Sequence, residues 1–163
     1  MCHAKKPNRM RVTLIILNLI LIFILTNQDL QAQDKKSKKE REQEYLENIK
    51  KDSIDGVYIP VDLKDCFKQI DSFWADSVKL QVRKKTEDGF TANAHFGIGM
   101  WMRNNWRLWG GSRLSKYFND LGIFHPDDMS GIILTSYHRF LLGLDIKLEE
   151  QIGYYKDYWK KNK

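Results

Sequence analysis

Residues 91–121 read TANAHFGIGMWMRNNWRLWGGSRLSKYFNDL, and the way this stretch divides decides the fold class. Thr91 to Asn105 places apolar side chains on most sides of a helical turn, which predicts a central, buried helix. Gly97 and Gly99 fall inside it, where each costs roughly 1 kcal/mol relative to alanine. A closely approaching backbone or ligand is expected to offset that, and helix–helix contact is the simplest form of it. The Gly110-Gly111 turn then ends the run. Ser112 starts a second helix with Leu114, Tyr117, Phe118 and Leu121 on one face, stopped by Gly122.

The same periodicity extends outward. Asp62, just after Pro60, caps a segment with Leu63, Cys66, Phe67, Ile70, Phe73 and Trp74 at 3–4 spacing. Asp76 to Lys85 alternates Val78, Leu80 and Val82, which fits a helix or a strand. Downstream, His125-Pro126-Asp127-Asp128 opens a helix with proline in its first turn and acids at its positive end. That helix carries Ile132, Ile133, Tyr137, Phe140 and Leu141 and ends at Gly143. Lys147 to Trp159 forms the last, with Leu148, Ile152, Tyr155 and Trp159. The expected fold is all-α: a compact bundle of five or six short helices over residues 57–163.

Two segments precede that bundle. Lys5, Lys6, Arg9 and Arg11 stand before VTLIILNLILIFIL, residues 12–25. Fourteen residues span about 21 Å as a helix, short of the roughly 30 Å hydrocarbon core. A basic flank, a short apolar run and then polar TNQDLQAQ read as a signal peptide over residues 1–32, cleaved after Ala32. The chain is therefore expected to be periplasmic or secreted, with membrane attachment only if that segment is retained. Asp34 to Asp52 has 13 charged residues of 19, and its few apolar side chains cannot form a core-facing stripe. Residues 33–56 are expected to be a charged tether.

Charge narrows the function classes. The chain holds 27 Lys+Arg against 21 Asp+Glu, a formal +6. Loss of residues 1–32 removes four basic groups and Asp29, leaving +3. Nucleic acid is not an expected partner at that charge and in that compartment. Cys66 is then the sole cysteine, so no intrachain disulfide can form, and its place on an apolar stripe marks it as a core residue.

From Gly89 to Asn119 there is no acid, while Arg103, Arg107, Arg113 and Lys116 add +4 beside Trp101, Trp106 and Trp109. Such a mixture can stack on rings and bind their anionic groups. It can equally be core tryptophan with arginines paired to Asp120, Asp127 and Asp128. Arg103 lies on an apolar face and needs a buried partner. Gly110–Arg113 before a helix suits an anion, although Ser112 as an ordinary N-cap explains it too. The residues proposed for ligand binding are Arg103, Trp109, Arg113 and Arg139.

His95, His125 and His138, with Asp127 and Asp128, are the candidates for acid–base chemistry. No HExxH, HxH, GxSxG or CxxC spacing accompanies them, so neither a metal nor a cofactor is expected. The leading reading is a non-enzymatic binding module for an envelope protein or an anionic glycan. The alternative is a small hydrolase or metal-dependent enzyme, and a lesser one an immunity or inhibitor-like protein.

HFGIGMWMRNNWRLW (95–109), SRLSKYF (112–118), HPDDMSGIIL (125–134) and SYHR (136–139) together resemble an uncharacterised family of small exported bacterial proteins, classed as a domain of unknown function. The resemblance runs over about residues 58–159. It implies a compact helical domain and supplies no catalytic residue.

Overall fold

The computed structural model describes residues 37–162, so the signal segment expected over residues 1–32 lies outside the described residues. Helix α1 covers residues 37–48. The compact unit begins at Glu44, earlier than the sequence boundary near Val57. Residues 44–56 join it through side chains that a charge count passes over: Asn48 and Ile54 are buried, and Tyr45 lies against Gly111. Asp55 and Gly56, both at positive φ, make a two-residue turn between β1 (Ser53–Ile54) and β2 (Val57–Tyr58), which pair antiparallel. Asp-Gly with two left-handed residues is the turn that matches strand twist.

The rest is helical: α2 (Leu63–Phe73), α3 (Asp76–Arg83), α4 (Glu87–Ala94), a π-helical turn (His95–Gly99), α5 (Met100–Asn105), α6 (Arg113–Asp120), α7 (Pro126–Leu141) and α8 (Leu148–Lys161). The α4–π–α5 run is continuous, so six helical runs follow β2 among the described residues. The domain is all-α, and the ambiguous 76–85 segment is a helix that buries Val82.

Local chemistry sets most of the boundaries. Asp62 accepts the Asp65 N–H and Thr86 the Gly89 N–H, capping α2 and α4. Ser112 and Ser115 cap α6 reciprocally. At the other end of α6, Gly122 N–H donates to Asn119 O and Ile123 N–H to Phe118 O, with Gly122 at φ +81°. Gly143 and Leu144 close α7 in the same way through Phe140 O and Arg139 O. These are paired 5→2 and 6→1 bonds around a left-handed glycine.

The centre of the bundle is α7, which packs against every other helix from α2 to α8. Met129, Ile132, Ile133, Leu134 and Tyr137 are almost wholly buried, together with Cys66, Ile70, Met102, Trp106, Leu114 and Phe118 from the surrounding helices. The 91–105 segment is less central than its composition suggests. Met102 and Arg103 face inward, but Phe96 is 75% exposed and Met100 48%. The backbone leaves α geometry at Gly97, and this sets Phe96 and Met100 on the outside. Gly99 is the glycine that a close approach demands: an added Cβ would lie 3.1 Å from Ala94 O and 3.3 Å from Leu134 Cδ1.

Gly111 is constrained twice. Its φ is +90°, and an added Cβ would fall 2.2 Å from Tyr45 Cδ2. Gly111→Ala is expected to lose more than about 1 kcal/mol of stability, read as a fall of several degrees in thermal melting. Adding Tyr45→Ala should remove only the clash and leave the backbone cost in place.

Candidate functional site

The first turn of α7 gathers three of the acid–base candidates. His125 is the N-cap, and its Nδ1 accepts the Asp127 N–H at 3.3 Å. In that arrangement Nδ1 carries no proton, and the ring hydrogen sits on Nε2. The Asp127 carboxylate approaches three cationic or imidazole groups. Its Oδ1 lies 3.1 Å from Arg103 Nε and 3.6 Å from His95 Nε2, and its Oδ2 lies 3.5 Å from His125 Nδ1. The two imidazole separations are too long for hydrogen bonds. A carboxylate here also faces the positive end of α7.

Arg103 is only 6% exposed. Its Nη1 donates to Ser130 Oγ at 2.9 Å and its Nη2 to His95 O at 3.2 Å, while Ser130 Oγ donates to Asp127 O. The guanidinium therefore ties α5, the π turn and the start of α7 to one another. The buried Arg–Asp bridge expected from the sequence is this one.

Aromatic side chains surround the cluster. Trp109, 59% exposed, meets the His125 ring at 5.7 Å in an edge geometry, and Trp159 from α8 meets it at 5.4 Å. Phe96 packs edge-on to His95 at 4.8 Å. Trp159 Nε1 donates to Asp128 Oδ2 at 2.7 Å. Burial pushes the Asp128 carboxyl above the usual aspartate range, and the indole bond opposes that shift.

Beside His125 lies a cleft of about 400 Å³, lined by Phe124, Tyr155 and Trp159 with Lys156 and Lys160. Tyr155 reaches it across Gly131, where an added Cβ would sit 2.5 Å from the phenol oxygen. Burial, with Asp128 nearby, pushes that phenol up to about 12.

The remaining candidates stand elsewhere. His138 is buried, stacked on Phe90 with Nε2 3.0 Å from Lys85 O. It follows Asp127 by eleven residues on α7, about 16 Å along the axis. Arg139 donates twice to Glu87, at 2.6 and 2.7 Å, and once to Ile146 O. That bidentate pair holds the Glu87 carboxyl below its usual range. Arg113 donates to Ile59 O at 2.7 Å and lies over the Tyr58 ring at 4.8 Å, so it clamps β2. Arg107 pairs with Asp55 at 2.7 Å. Of the four residues proposed for ligand binding, Trp109 alone is exposed without an internal partner for a charged group.

The arrangement offers acid–base groups. Ser130, the hydroxyl bonded to Arg103, is fully buried. No set of three His, Cys, Asp or Glu among the described residues could hold a metal ion. The sequence reading overlooked Phe124, Tyr155, Lys156, Trp159 and Lys160 as one lining. Their only sequence signal is the 3–4 spacing of α8, which a core-facing stripe shares.

A family model described as a domain of unknown function (DUF6794) matches residues 59–141, half of the chain. The chain belongs to this family. The matched region holds His95, Arg103, Trp109, His125, Asp127 and Asp128, whereas α8, with its side of the cleft, lies beyond it. No curated protein and no solved structure matches the chain.

Removing Arg103 breaks its pair with Asp127 and two further hydrogen bonds, so Arg103→Ala is expected to cost about 3–5 kcal/mol. Asp127→Asn should cost only about 1–2 kcal/mol, because Ser130 and His95 O still hold the two Nη groups and the amide oxygen replaces the carboxylate as acceptor for Nε, so that only the counter-charge is lost. Urea unfolding of both variants checks this. Equal losses would reduce Arg103 to a simple charge partner of Asp127.

Proposed function

We propose that the chain is an exported, non-enzymatic binding module whose contact surface is the aromatic patch around His125. The observation that carries this reading is the pairing of large exposed rings with an arginine–carboxylate pair already engaged within the domain. Trp109 and Phe124 are 59% and 72% exposed beside a guanidinium and carboxylate that pair with each other, with two imidazoles close by. Exposed apolar rings grouped in this way mark interaction sites. The partner classes are an envelope protein or an anionic glycan. Arginine-led anion capture loses support, since Arg103, Arg107, Arg113 and Arg139 are engaged within the domain.

A second reading, a small hydrolase, is favoured by one observation: His95 and His125 converge on Asp127 with Arg103 beside them. Against it stand the burial of Arg103, which keeps the guanidinium from a substrate oxyanion, and the burial of Ser130.

Trp109→Ala is expected to weaken retention of envelope partners or arrayed glycans at least tenfold, while His95→Gln changes it less than twofold. A hydrolase predicts the reverse order on turnover. Export has its own check: N-terminal sequencing of the protein recovered outside the cytoplasm should begin at Gln33.

A further inference from the structure

The cleft between the α6–α7 turn and α8 has chemistry that the aromatic patch alone does not explain. Lys156 and Lys160 are four apart and Trp159 lies between them, so helical spacing sets all three on one side of α8. The Lys156 stem lies across Gly122, where an added Cβ would fall 2.5 Å from its Cε. The Asn119 and Phe118 carbonyls at that helix end are already taken by Gly122 and Ile123 N–H groups. Lys156 forms no ion pair with a described residue, and Lys160 has only a 3.4 Å pair with exposed Asp157. Such surface pairs contribute little and exchange readily.

The rest of the lining is largely aromatic. The Trp159 indole is held by its bond to Asp128, and Phe124, 72% exposed, lines the same cleft as the Lys156 and Lys160 ammonium groups. Acidic groups near the cleft do not neutralise those ammoniums. Asp127 is matched by Arg103, and Asp128 is 9% exposed with one oxygen committed to the indole. A volume of about 400 Å³ suits a small ring system and is within the range of ligand pockets.

We propose that this cleft is a subsite for a pyranose ring carrying a carboxylate or phosphate, its C–H face on Trp159 and Phe124 and its anion at Lys156 and Lys160. A wholly apolar ligand would desolvate two ammoniums without a partner. A neutral sugar would leave them unused. The His125 ring, which lines the cleft, supplies a partner for a ring hydroxyl. The inference rests on the binding-module reading and names the ligand class for it.

The test is calorimetric titration of the full chain with digalacturonate, glucose 6-phosphate, cellobiose and inorganic phosphate. At least one charged sugar should bind tenfold or more tighter than both cellobiose and inorganic phosphate. The exposed double variant Lys156→Ala/Lys160→Ala should abolish that difference while melting within about 2 °C of the parent. The two charged sugars separate the carboxylate from the phosphate source. Equal binding of cellobiose, equal binding of phosphate alone, an unchanged lysine variant, or no sugar binding at all overturns the subsite. Trp109→Ala, outside the cleft lining, reads the module surface separately, through retention of envelope partners. If that variant still loses partner retention while no sugar binds the parent, the module reading stands and the subsite falls.

Discussion

A buried guanidinium is the constraint on which the rest of the domain depends. Arg103 sits almost out of solvent, and a charge there is tolerated only when its donors are met. Its partners come from two elements: Asp127 and Ser130 on α7, and the His95 carbonyl at the start of the π turn. Meeting them requires the helix to depart from α geometry at Gly97 and to lie against α7 at Gly99. An added Cβ at Gly99 would be 3.3 Å from Arg103 Nη1 and from Leu134 Cδ1. The same pairing stations Asp127 between His95 and His125. Stability and candidate site are thus built from one set of contacts.

The acid-free stretch does not produce a basic face. Each of its arginines is consumed by a different element: Arg103 by α7, Arg107 by the Asp55 turn, and Arg113 by the Ile59 carbonyl and the Tyr58 ring. The chain thereby turns positive charge into cross-links between the hairpin and the helices. What is left at the surface near His125 is aromatic, with cationic groups supplied later in the chain by α8. This is why the surface reads as a place for rings rather than for a polyanion.

Much of the fold was legible because its signals are local. Asp62 and Ser112 as caps, Pro126 in a first turn and Gly122 and Gly143 after helix ends all act within four residues of themselves. The Asp55-Gly56 hairpin carried an equally local signal, but its strands are two residues each and hid inside a charged segment. Thr86 shows a related miss: the cap at Gly89 N–H starts α4 at Glu87, four residues before the apolar run that marks it. For the site, the sequence pointed to His95, Arg103, Trp109, His125 and Asp127 without ordering them. It also set His138 and Arg139 beside them, although His138 is sealed on Phe90 and Arg139 is bound to Glu87.

By itself the sequence determined the helical class, the principal caps and stops, the core placement of Cys66 and the need of Arg103 for a partner. Each follows from periodicity or from a group whose desolvation must be compensated. Tertiary structure alone decided which partner each arginine takes, that α7 rather than the 91–105 segment is the centre, and that Trp159, Lys156 and Lys160 face His125. These depend on how helices far apart in the chain cross, where a 3–4 stripe fixes only that a face is covered. What covers it is set by the summed packing of all the helices around α7.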